Sequence, residues 1–186
     1  MEQTINGARN IPDDEDIRLL LEAALTPYPI VLHQRVVAGV ALKIGRVYAL
    51  RKPVDLALLE AAAKLHDIKK TEPSHAKKGA EFLKKNGYPE VAEVIRGHTN
   101  IRLKNAGVEA KLLYLADKYV SRLNVVPLRE RMNQIKEKLA SSGPNKSKPN
   151  KPLLTSALHR IEIAIKIEKS VERAAGLPSL LRHILS

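Results

Sequence analysis

Four histidines and two aspartates of this chain stand where side chains able to hold a divalent cation would have to stand. His33 lies in line with Val37, Val40, Ile44 and Val47, at the centre of one helical apolar face. His66 continues the stripe of Leu59, Ala62 and Ala63 and is followed directly by Asp67. His98 stands three and four residues beyond Ile95 and Val94, and His75 follows Ser74 near Gly79. Asp117 falls inside LLYLADKYV, four residues after Leu113 and on the border of another apolar stripe. Taken singly, each reads best as a hydrogen-bonded core histidine or as a capping or ion-paired aspartate. Taken together they ask for more, because a carboxylate buried alone costs on the order of several kcal/mol and must be protonated, paired or metal-bound. Adjacent side chains of a helix diverge by about 100°, so the His66-Asp67 doublet suits a metal beside a helix end or a carboxylate bridging two metals. Two divalent cations among four neutral imidazoles and two carboxylates would leave a local charge of roughly +2, which calls for an anion such as phosphate. The chain has no Cys, so imidazole and carboxylate are the ligands it can offer a transition metal, and no disulfide framework is available.

Helices must position these groups. Asp13 to Asp16 form an acidic start for a short helix through Leu25, which Pro27 and Pro29 stop. A long helix is predicted over 30–50, a buried one over 56–68 behind the N-cap candidate Asp55, and one from Ser74 through Asn86 to a Gly87 stop. Pro89 opens PEVAEVIRGH, a further helix runs from Glu109 to about Asn124, and Pro127 opens another that fades near Ala140. Residues 141–152, SSGPNKSKPNKP, contain three Pro, one Gly and no apolar residue, and read as a flexible basic linker. Leu154, Leu158, Ile161 and Ile165 then trace a long amphipathic helix ending at Gly176, with a short one after Pro178. No alternating β-branched segment competes, and aromatic residues make up only 3%, so Leu, Ile, Val and Ala must build the core of an all-α protein.

With 186 residues, 44% hydrophobic and 28% charged, the chain has the balance of one globular core with an appendage. The N-terminus lacks an apolar stretch behind a basic start, and no run approaches the roughly 18 apolar residues of a membrane span, so a cytoplasmic location is expected. The net charge is +12; residues 1–125 carry 20 basic against 15 acidic groups and residues 126–186 carry 12 against 5, so the excess leans to the C-terminal third. Such a field attracts phosphorylated small molecules and nucleic acid alike.

These residues resemble the HD-domain metal-dependent phosphohydrolases, whose signature is a His, a His-Asp doublet and a distant Asp: here His33, His66-Asp67 and Asp117. HDIKK at 66–70 is similar to the family's HDI(G/A)K, with Lys70 in the place of the motif lysine and Lys69 replacing the small residue. SHAKKGA (74–80), IRGHTN (95–100) and LADKYVSR (115–122) resemble segments of the dinuclear branch, which includes bacterial hydrolases that split dinucleoside tetraphosphates symmetrically. The resemblance covers about residues 28–125 and implies an HD helical bundle of about six to seven helices over 1–140, with residues 153–186 as a C-terminal helical extension that inherits nothing from it. It implies that His33, His66, Asp67 and Asp117 bind one metal, and that His75 and His98 hold a second with Asp67 as the bridge. The metal could be Fe, Mn, Mg, Ni or Zn. In such a site a water bridging the two ions, roughly 3.5–4 Å apart, loses a proton near neutral pH. Asp67 together with Lys70 and Arg122, which would neutralise phosphate oxygens, form the candidate catalytic set. Hydrolysis of a phosphate ester or anhydride, of a nucleotide above all, is the function implied. Two other readings stay open: a di-iron HD-fold oxygenase using the same ligands, and a non-catalytic module whose basic tail docks on nucleic acid or an acidic partner. Aromatic poverty disfavours stacking on single strands; a homodimer is carried as an alternative state.

Overall fold

Local sequence signals start most of the helices. A computed structural model describes residues 10–140 and 151–186. Asp13 caps α1 (Asp14–Ala23) through a reciprocal capping box with Asp16. Pro27 and Pro29 do not merely stop α1 but open α2 (Tyr28–Ala49), because proline is pre-set for the first helical turn. Asp55 caps α3 (Leu56–Leu65) by accepting the Leu58 N–H at 3.0 Å. Then follow α4 (His75–Lys85), α5 (Pro89–Arg96) and α6 (Val108–Tyr119). A two-stranded ribbon, β1 (Val120–Ser121) and β2 (Asn124–Val125), leads to α7 (Leu128–Ala140), α8 (Lys151–Ala175) and α9 (Leu180–Leu185). The architecture is an all-α bundle.

The long α2 runs through the middle, with α3, α6, α8 and α9 against it, while α4 and α5 pair beside α3. Val37, Val40, Ala41, Ile44 and Val47 make its buried face. Gly45 allows the close approach of α3: a Cβ there would lie 2.8 Å from a methyl of Leu56 and 2.8 Å from one of Leu59. The core continues into the C-terminal helices through Ile161, Ala164, Ile167, Val171, Leu180 and Ile184. Two buried tyrosines dock α8 onto α6: the Tyr114 hydroxyl donates to the Arg160 carbonyl at 3.0 Å, and the Tyr119 hydroxyl donates to Glu168.

Beyond shifts of one or two residues, such as α1 ending at Ala23 and not Leu25, four helix ends differ from the sequence expectation, each for a local reason. α3 ends at Leu65, three residues early, and tight turns (Ile68 N–H to Leu65 O, 3.1 Å; Lys70 N–H to Asp67 O, 2.8 Å) carry the chain onward. α5 ends at Arg96, leaving His98 in the turn beyond it. Ser74 does not cap α4 with its side chain; it takes a left-handed conformation (φ 55°) in the turn that delivers His75. α6 stops at Tyr119 and not near Asn124, because Val120 turns extended and pairs with Val125. The Arg131 guanidinium then takes up the Lys118 and Val120 carbonyls that the ending helix leaves open. The expected linker 141–152 falls largely outside the described residues, and its last two residues already belong to α8.

Candidate metal centre

The six candidate ligands come from five places in the chain and point to one spot. His33 lies in the second turn of α2, His66 is the C-cap of α3 and Asp67 sits in the turn after it. His75 opens α4, His98 follows α5 and Asp117 lies in the last turn of α6. The turn bearing the doublet is pinned from outside, since the Thr26 hydroxyl donates to the Ile68 carbonyl at 2.9 Å.

Asp67 and Asp117 divide the site between them. Oδ1 of Asp67 lies 3.1 Å from His98 Nε2 and 3.2 Å from His75 Nε2; its Oδ2 lies 3.5 Å from His66 Nε2 and 2.9 Å from Lys70 Nζ. Oδ1 of Asp117 lies 3.3 Å from His33 Nε2 and 3.7 Å from His66 Nε2, and its Oδ2 meets Lys118. Among the described residues two trios have donor atoms all within 4.8 Å of one another: His33, His66 and Asp117; and His66, Asp67 and His98. His66 belongs to both. His66, Asp67 and His98 are almost wholly buried, which makes their polarity costly unless it is answered.

The backs of the rings show what could answer it. Nδ1 of His66 bonds the Ala63 carbonyl at 2.9 Å, Nδ1 of His98 the Ile95 carbonyl at 2.7 Å, and Nδ1 of His33 the Arg122 carbonyl at 3.0 Å. A carbonyl only accepts, so each Nδ1 carries a proton; on the neutral ring Nε2 is then left with a lone pair facing carboxylate oxygens, and on the protonated ring it donates to them. With the rings neutral, lone pairs face lone pairs and repel; a divalent cation between them turns the repulsion into coordination. Nε2 of His66 and of His75 are buried with no hydrogen-bond partner. The donor set of nitrogen and carboxylate oxygen fits a divalent first-row transition metal such as iron, manganese or zinc.

The carboxylates draw positive charge strongly. Burial alone would push the Asp67 carboxyl up, but His75, His98 and His66, in their protonated forms beside it, drag it far below the ordinary range. Burial of Asp117 is likewise overcome by Lys118, His33 and His66, so it too stays ionised. His98 is lowered by burial, against the pull of Asp67, and so favours the neutral ring that a ligand must be. His33 is raised, chiefly by its bond to Asp117.

Residues 30–121 match the model of the HD domain family. The chain contains an HD domain. HD domains are in general metal-dependent hydrolases of phosphorylated substrates, and the match spans the first five helices after α1 together with all six candidate ligands. No curated protein and no solved structure matches the chain. Among the described residues no helix is long and apolar enough to cross a membrane.

Above the candidate ligands opens a cavity of about 530 Å³. Lys70 and Arg122, singled out from the sequence, line it, and Arg122 holds a left-handed conformation (φ 57°) at the ribbon's turn. Lys69 does not line it: its ammonium lies 5.0 Å over the Phe82 ring and pairs with Glu72 at 3.4 Å. Sequence reasoning does not reach Lys118, Arg131 or Arg160, which also line the cavity. Lys118 had a signal in its adjacency to Asp117; the two arginines lie outside the family match and have none.

Proposed function

We propose that this chain is a hydrolase cleaving a phosphate ester or anhydride, with a nucleotide as the substrate class. The observation that carries the reading is the inward set of histidine Nε2 atoms around two ionised carboxylates at the floor of a cationic cavity. His33, His66, Asp67 and Asp117 would hold one divalent cation, and His75 and His98, with Asp67 shared, a second. Bound there, such cations supply Lewis acidity toward phosphate oxygens and bring the pKa of water toward neutrality.

The chain's own residues supply the rest. The Ala63, Ile95 and Arg122 carbonyls fix three rings in one tautomer and one orientation before any ligand arrives. Lys118, held between Asp117 and the Tyr114 ring at 4.7 Å, keeps the Asp117 carboxylate from swinging away. Lys70 Nζ and the Arg122 guanidinium, at the rim, donate to the phosphoryl oxygens and offset their charge. Ile30, Val120, Ile135 and Ile161 give the cavity an apolar part of its lining.

The test is phosphate or nucleoside-phosphate release from a broad nucleotide panel by purified protein loaded with Mn²⁺ or Fe²⁺. His66→Ala and Asp67→Ala should lose turnover while keeping the helical circular dichroism spectrum. If every nucleotide survives with each of Mn, Fe, Mg, Ni and Zn, the reading fails.

A further inference from the structure

Part of the cavity wall is built by helices outside the HD match: α7 contributes Arg131 and Ile135, and α8 contributes Ala157, Arg160 and Ile161. Both arginines are tethered by neutral groups. Arg131 Nη1 bonds the Lys118 and Val120 carbonyls, the latter at 3.2 Å. Arg160 Nη1 bonds the Ser156 hydroxyl at 3.2 Å, and its own carbonyl is gripped by the Tyr114 hydroxyl at 3.0 Å. Among the described residues neither guanidinium lies within ion-pair distance of a carboxylate, and both are only partly exposed.

The charge count around the cavity is lopsided. Its two carboxylates, Asp67 and Asp117, are each already engaged by a lysine, Lys70 at 2.9 Å and Lys118. Arg122, Arg131 and Arg160 remain unmatched. Half-buried guanidiniums held open by main-chain and hydroxyl dipoles are placed to receive an anion, and the planar fork fits phosphate with two parallel bonds. No aromatic ring of Phe or Tyr lines the cavity among the described residues, so a nucleobase finds nothing to stack on.

We propose that Arg131 and Arg160 form a second phosphate subsite contributed by α7 and α8, so that the substrate is an oligophosphate of at least two linked phosphoryl groups. It is held by its phosphate chain and not by a base. The proposal rests on the reading that the histidine and aspartate end receives the first phosphoryl group. The source of the chain is open to a nucleoside oligophosphate or to inorganic oligophosphate, since the recognising chemistry is the same.

Calorimetric binding to the full chain, with free metal chelated and ionic strength fixed, tests this without hydrolysis. Inorganic tripolyphosphate should bind at least ~10-fold more tightly than orthophosphate, the scale of one charged hydrogen-bonded contact. Arg160→Ala should remove most of that preference, and Arg160→Lys, which keeps charge but loses the fork, should restore part of it. Arg131→Lys, gentler on the helix end that Arg131 holds, should reduce it as well. A nucleoside triphosphate should bind within ~3-fold of tripolyphosphate. An unchanged preference in Arg160→Ala, or a nucleoside triphosphate bound more than ~10-fold tighter than tripolyphosphate, would overturn the proposal. A protein that shows the arginine-dependent preference yet hydrolyses nothing would refute the proposed reaction and leave this subsite standing.

Discussion

Adding a divalent metal to the chelated protein should raise its melting temperature, and His66→Ala should abolish that rise. Metal that binds only the folded chain stabilises it by about 2.7 kcal/mol at a hundred times its dissociation constant. For a chain of this length each kcal/mol moves the midpoint by roughly 2–4 °C, so a shift of about 5–11 °C is expected. The His66 ring is the discriminating one. Its Nε2 stands 3.5 Å from Asp67 Oδ2 and 3.7 Å from Asp117 Oδ1, and it is the one member common to both trios of close donors. Removing it weakens both halves of the site at once. His75 belongs to neither trio, so His75→Ala should keep most of the shift. Losing the wholly buried His66 ring changes the metal-free midpoint too, so the quantity to read by scanning fluorimetry is the difference between metal-loaded and chelated samples of each variant. Equal shifts in wild type and His66→Ala, or no shift in wild type with any of Mn, Fe, Ni, Zn and Mg, would refute the reasoning.

Metal affinity should fall as pH drops through the raised pKa of His33, because the proton that Asp117 stabilises on that ring must leave before the ring can ligate; titration of Mn²⁺ affinity against pH would show it. Glu168 is raised, first by burial and against the bond from Tyr119, so its contribution to stability is present below its ordinary value of 4.5 and is lost as pH rises through the folded value. Glu168→Gln should therefore gain on wild type as pH rises above 4.5 in urea unfolding, and a gap independent of pH would contradict the assignment. At Gly45 an alanine would gain about 1 kcal/mol of helix propensity but overpack Leu56 and Leu59 by about 1–3 kcal/mol. The net loss of about 1 kcal/mol should lower the melting point by roughly 2–4 °C, and a stabilised variant would show that α3 yields freely.

The helices were legible because their signals are local. The acidic start at Asp13 to Asp16, the Asp55 cap and the spacing of Val37, Val40, Ile44 and Val47 act within a turn or two of chain, and all are found in place. The end of α6 was not legible, because it depends on Arg131 reaching back thirteen residues to the Lys118 carbonyl. Nor was the exact seat of the doublet: a stripe that runs on to Ile68 says nothing of a helix that ends one residue before His66. The convergence could be inferred because His33, His66, His98 and Asp117 were exceptions to their own apolar faces, while Asp67 and His75 entered by adjacency to His66 and by the family resemblance. Arg131 and Arg160 break no such pattern on amphipathic helices, and only the packing of α7 and α8 against the rest of the chain turns them toward the cavity.

The grip of Tyr114 on the Arg160 main chain bears on how the molecule can be cut. α8 looks like an appendage when the chain is read as a string, yet it covers the two largest fully buried side chains of the bundle, Tyr114 and Tyr119. A fragment lacking it would present both phenol rings and their hydroxyls to solvent beside Asp117. Anyone trimming the chain to residues 30–121 should expect a sticky product in which the helix carrying Asp117 has lost its backing.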